Sequence, residues 1–166
     1  MHKFHYIGGS EMGMGGPVIG SIFCDEVLIS NCVNDPVFFP EQQICVFLLM
    51  VEGRMIHRGI KPLMAFHAPT GEVWSVDPAP PYGWLRSSES IFPQVALRIH
   101  RDECRYDVRT KASPTGNLRM DLMNAPACGA CREVRKRWTC TSCAECTKYI
   151  RSFWSGLFPE IGSPEL

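Results

Sequence analysis

Apolar and polar positions along the first hundred residues alternate in short blocks, each closed by turn-forming residues. Val18–Cys24 and Val27–Ser30 are rich in β-branched side chains and flank Asp25-Glu26, which predicts two strands split by a turn. Asn34-Asp35-Pro36 and Pro40-Glu41 punctuate the next segment. The run Ile44–Val51 is apolar throughout. It is short and contains β-branched and aromatic residues, so it predicts a buried central strand rather than a helix. Glu52-Gly53 turns it, and Arg54–Ile60 is expected to pair back. Leu63–His67 and Val73–Asp77, joined by Ala68-Pro-Thr-Gly71, read as a β-hairpin. Further on, Val95, Leu97 and Ile99 alternate with Ala96, Arg98 and His100, the signature of a half-buried strand.

The pattern changes at both ends. Residues 1–16 hold Gly8, Gly9, Gly13, Gly15 and Gly16 without the Lys-Ser/Thr of a phosphate loop, which predicts a flexible or turn-rich lead-in. From residue 101 the chain is more polar. Ser113-Pro-Thr-Gly-Asn117 reads as a turn or linker, and Leu118–Met123 as a short helix ended by Asn124-Ala-Pro126. Tyr149, Ile150, Phe153, Trp154 and Leu157 recur at i, i+1, i+4, i+5 and i+8, one apolar helical face, closed by Gly156 and Pro159.

Between these lies the most specific stretch of the chain. Five of the nine cysteines fall at 128, 131, 140, 143 and 146. A Cys-x-x-Cys turn sets two thiolates at the spacing for one tetrahedral zinc, and Gly129 eases the turn. Two such units are hard to explain as core packing. The spacing allows two quartets. One is Cys128, Cys131, Cys140 and Cys143, two facing knuckles of the ribbon kind. The other is Cys128, Cys131, Cys143 and Cys146, with Cys140 to spare. The helical pattern after Cys146 favours the second, and four thiolates leave no open position for water. A knuckle, a hairpin and a ligand-bearing helix start resemble the treble-clef family of zinc folds. The resemblance covers about thirty residues and implies a structural zinc.

A second resemblance concerns chemistry. Pro126-Ala-Cys128-Gly-Ala-Cys131-Arg-Glu is similar to the Pro-Cys-x-x-Cys-Arg turn of cytidine-deaminase-like zinc enzymes, which implies a deaminase. Those enzymes need a third ligand and a proton-shuttling Glu from an upstream His/Cys-Ala-Glu. This chain has no such tripeptide before the pair, and Ala127 is inserted in the turn.

Charge adds a direction. Net formal charge is zero, yet acidic residues outnumber basic ones in the first hundred positions and basic ones prevail from residue 128 onward. Arg132, Arg135, Lys136, Arg137 and Trp138 lie between the cysteine pairs, and Lys148 follows them. Basic side chains beside an aromatic suit phosphates and a stacked base, in RNA or DNA. The same Trp138 also suits packing over a zinc hairpin. Phe153, Trp154 and Phe158 suit either the protein's own core or a protein partner, including a second copy. In style the chain resembles compact viral accessory proteins, which implies protein interactions with host factors.

Other candidates are weaker. His100 and Cys104 stand at i, i+4, the spacing of a ligand pair on a helix. Cys24, Cys32 and Cys45 lie in apolar strand contexts and read as core residues. His2, His5, His57 and His67 show no ligand spacing with one another.

No apolar leader segment opens the chain, and no apolar run is long enough to span a bilayer as a helix. An odd number of cysteines, clustered, points to a reducing compartment, cytoplasmic or nuclear, and not to secretion. The expectation is an α+β protein. Residues 1–112 form a β-rich antiparallel body. Residues 113–166 form a linker and a four-cysteine zinc module, treble-clef or ribbon-like, that ends in an amphipathic helix. Its expected role is regulatory and non-enzymatic, through nucleic-acid or protein binding, with no membrane partner.

Overall fold

A computed structural model describes residues 1–11, 13–25, 27–50, 62–76, 83–109, 113–118 and 144–157. Strand β4 (Ile44–Leu49) is buried at every position and sets the architecture. Period-two geometry sends alternate side chains to opposite faces, so a strand apolar throughout must be covered on both sides. Ile44, Val46 and Leu48 enter one core, and Cys45, Phe47 and Leu49 enter another.

Around β4 runs a seven-stranded sheet. Its members are β1 (Phe4–Glu11), β2 (Val18–Cys24), β3 (Val27–Phe39), β4, β5 (Leu63–His67), β6 (Glu72–Val76) and β10 (Gly116–Asn117). Their spatial order is β1-β2-β3-β4-β5-β6-β10, and every neighbouring pair is antiparallel. A second sheet of three antiparallel strands holds β7 (Trp84–Ile91), β8 (Gln94–Ile99) and β9 (Asp102–Asp107). It covers one face of the large sheet, where Leu85, Val95 and Leu97 meet Val33, Val37, Val46 and Leu63. The helix α1 (Ala144–Leu157) covers the other face, placing Ile150, Phe153 and Trp154 beside Ile29, Phe47 and Phe66.

Strand β3 serves both cores because its register steps. Ile22 pairs with Ser30 but Phe23 pairs with Leu28, so Ile29 is an extra residue. A bulge of this kind inverts which residues face which side. Val27 and Ile29 therefore face the helix side, and Val33, Val37 and Phe39 face the small sheet. Trp154 Nε1 donates to the carbonyl of Ile29 at 2.8 Å, which fastens α1 to the bulge. Trp154 also meets the ring edges of Phe47 and Phe153 at centroid distances of 5.6 and 5.0 Å.

A second irregularity joins the sheets. Asn34 is buried with φ +59, a left-handed conformation that Asn tolerates better than most residues. Its Oδ1 accepts from Val18 N–H at 3.2 Å, and its Nδ2 donates to the Gly83 carbonyl ahead of β7 at 3.4 Å. A buried amide is retained here because both ends of it are matched.

These observations correct the expected fold. The described residues are mostly antiparallel β-sheet with a single short helix, not α+β, and no four-cysteine zinc module appears among them. The helix does not close a separate module; its buried residues belong to the core of the large sheet. The Gly-rich lead-in is not a loose segment either, because Phe4–Glu11 pairs along β2 as an edge strand. Gly20, opposite Gly8, makes this pairing fit: a Cβ at Gly20 would run into the Tyr6 ring. The Asn34-Asp35-Pro36 punctuation does not end a strand; β3 carries it as an irregularity and continues to Phe39.

Candidate functional site

Of the sequence-predicted cysteine ligands, only Cys146 falls within the described residues. Cys128, Cys131, Cys140 and Cys143 lie outside the described residues, as do Arg132, Arg135, Lys136, Arg137 and Trp138. So do the expected return strand over 54–60 and all but the first residue of the expected helix over 118–123. Cys146 and Lys148 fall on the N-terminal half of α1. The His100 and Cys104 pair is corrected. His100 sits with φ +54 in the turn between β8 and β9, and Cys104 lies in β9 opposite Leu97, so no helical face joins them.

Potential metal ligands do converge at one corner of the large sheet. The pairing of Phe4 with Cys24 brings the start of the chain alongside the β2–β3 turn. Asp25 occupies that turn with φ +48. Its N–H donates to the Lys3 carbonyl at 2.9 Å, and its Oδ1 accepts from Lys3 N–H at 2.8 Å. Its other oxygen, Oδ2, lies 2.5 Å from His2 Nδ1. His2 N–H donates to Gln43 Oε1 at 2.5 Å, and Gln43 Nε2 donates to the Pro40 carbonyl at 2.7 Å. The Cys24 thiol completes the group. Ligand atoms of His2, Cys24 and Asp25 all lie within 4.8 Å of one another.

Electrostatics at this corner follow from burial and pairing. Burial works to raise the Asp25 pKa, but the Lys3 N–H and the His2 ring outweigh it and hold the carboxyl below its ordinary value. Burial, helped by the Asp25 charge, pushes the Cys24 thiol up to about 12. His67 stands at the neighbouring end of β5, where Ala68 N–H donates to the Gln43 carbonyl at 3.0 Å. Its Nδ1 is 2.8 Å from Thr70 Oγ1, whose hydroxyl donates to Glu72 Oε2 at 2.9 Å. That order makes Nδ1–H the donor. Burial lowers the His67 pKa, with Glu72 opposing and His2 assisting.

Cys24, Cys32 and Cys45 all line the helix-side core. Burial is the main cause that raises each thiol, to about 12 for Cys24 and Cys32 and well above the ordinary value for Cys45. Cys32 and Cys45 are packing residues, and as thiols all three are poor nucleophiles. The sequence did not point to the corner because His2 and Cys24 are far apart along the chain and share no motif. Its one visible sign was the Cys24-Asp25 step at an expected turn; what was missing was the pairing of the lead-in.

The fold and its corner define a two-sheet, mostly antiparallel β protein with one docked helix. No protein-family model, curated protein or solved structure matches the chain. Among the described residues, no helix is long and apolar enough to cross a membrane.

Proposed function

We propose that this chain is a zinc-binding, non-enzymatic regulator that grips a nucleic acid. Cys128, Cys131, Cys143 and Cys146 hold the zinc, and Arg132, Arg135, Lys136, Arg137, Trp138 and Lys148 contact the nucleic acid. The observation that carries this reading is the seating of α1. Ile150, Phe153 and Trp154 are buried against the sheet. The helix end bearing Cys146 and Lys148 is thereby tied to a rigid body. Phe153 and Trp154, which would otherwise suit a protein partner, are taken up by the protein's own core, which favours the basic segment as the recognition element; Phe158 lies outside the described residues.

The deaminase-like alternative finds less support. Its upstream helix with a His-Ala-Glu has no counterpart at His67-Ala68-Pro69, which ends strand β5. Four thiolates also leave zinc no position for a reacting water. A reducing intracellular setting fits Cys24, Cys32, Cys45 and Cys104, which are free thiols.

Binding to short single-stranded RNA and to duplex DNA, measured by fluorescence anisotropy across a salt series, tests the reading. Affinity is expected to fall steeply with salt, by a log–log slope of about 0.7 to 0.9 per phosphate contact. Changing Arg135, Lys136 and Arg137 to Ala is expected to reduce both affinity and slope. Absent or salt-insensitive binding to both nucleic acids would sink it.

A further inference from the structure

The corner at the start of the large sheet gathers an imidazole nitrogen, a thiol sulfur and carboxylate oxygens. This mixed donor set suits a borderline divalent cation better than calcium or magnesium, which prefer oxygen alone. We infer that His2, Cys24 and Asp25 form a metal site of their own, separate from the clustered C-terminal cysteines, whose occupant is a divalent first-row cation of the zinc type.

Three features of the geometry support it. The ligand atoms lie within 4.8 Å of one another, a spread that one ion spans with bonds of about 2.0–2.3 Å after small rotations. The two half-exposed ligands are held from outside the cluster. Gln43 Oε1 fixes the His2 backbone, and Lys3 holds Asp25 through both its N–H and its carbonyl. Outer contacts of this kind orient ligands before the ion arrives. The third feature is Cys24. A simple ion pair across the strand start needs only His2 and Asp25, yet the buried Cys24 sulfur stands within the same radius.

On uptake the ion enters between His2 Nδ1 and Asp25 Oδ2; the proton between them moves to Nε2 or to solvent, leaving a neutral imidazole, and the Cys24 thiol releases its proton to solvent. Three protein ligands leave a fourth position for water. The site clamps the first strand to the β2–β3 turn, so metal binding and edge-strand order are coupled.

Metal per chain, measured on the zinc-loaded full-length protein after excess metal is removed, tests the site. His2→Ala combined with Asp25→Asn is expected to remove one zinc per chain and leave the remainder. An unchanged metal content overturns the inference. A second arm replaces Cys128, Cys131, Cys143 and Cys146 with Ser and uses cobalt(II) as the probe. This variant is expected to keep a thiolate-to-cobalt absorption band that His2→Ala abolishes. A band that is absent, or that persists after His2→Ala, overturns the inference. Because the second arm lacks the C-terminal ligands, the two zinc assignments succeed or fail separately.

Discussion

Replacing Trp154 measures how firmly the helix is fastened to the sheet. Trp154 is 3 % exposed, packs edge-on against Phe47 and Phe153, and donates to the Ile29 carbonyl. Trp154→Ala removes the ring and leaves a cavity, at a cost of about 3–5 kcal/mol. Trp154→Phe keeps most of the apolar contact but withdraws the donor from a buried carbonyl, at a cost of about 1–3 kcal/mol. For a chain of this size each kcal/mol lowers Tm by about 2–4 °C, so the Phe variant is expected to melt several degrees lower and the Ala variant lower again. Urea denaturation followed by fluorescence and far-ultraviolet circular dichroism supplies the free energies. A Trp154→Phe variant as stable as wild type would refute the bulge–indole link. Equal losses for Phe and Ala would show that ring burial contributes nothing.

Further outcomes follow from the same contacts. Gly20→Ala drives a Cβ into the Tyr6 ring and is expected to cost about 1–3 kcal/mol; Tyr6→Leu in the same chain should recover most of it, and additive losses in the double-mutant cycle would contradict the close approach. His67 has a lowered folded-state pKa, so its share of stability is complete above the ordinary imidazole value and fades as pH falls through the folded value. Thermal stability is therefore expected to decline on acidification below neutrality, and His67→Gln to flatten that decline; identical pH profiles would count against it. Among the described cysteines, iodoacetamide is expected to label partly exposed Cys104 before Cys24, Cys32 and Cys45 in the native protein, as read by peptide mass spectrometry. Early modification of Cys45 would show that the helix-side core opens readily.

Local strand patterns were legible where alternation and turn residues agreed. Ile44–Leu49, Leu63–His67 and Gln94–Ile99 appear close to where their patterns place them. The two faces of β4 were implicit in a run with no polar position, since such a strand needs cover on both sides. Elements without that pattern were not legible. Strand β1 is mostly exposed and Gly-rich, because an edge strand opposite Gly20 needs little apolar side chain. Strand β9 reads Asp-Glu-Cys-Arg-Tyr-Asp; it is held by its ladder with β8 and by Tyr106, which packs against the core between the sheets. The expected class differs from the structure because, by spacing alone, the helical periodicity after Cys146 reads as the end of an independent unit. Its buried residues, Ile150, Phe153 and Trp154, instead complete the β core, and spacing alone carries no sign of that partner. The His2, Cys24 and Asp25 corner was hidden for a similar reason: strand pairing creates it.

Zinc content of the full chain tests the central claim most directly. Wild type, Cys140→Ser and Cys146→Ser are purified alike and assayed for metal per chain. The expected result is that Cys140→Ser retains the wild-type content and Cys146→Ser loses one zinc. A wild-type chain without zinc, or a Cys146→Ser chain that keeps it all, would contradict the assignment of Cys128, Cys131, Cys143 and Cys146 as the ligands.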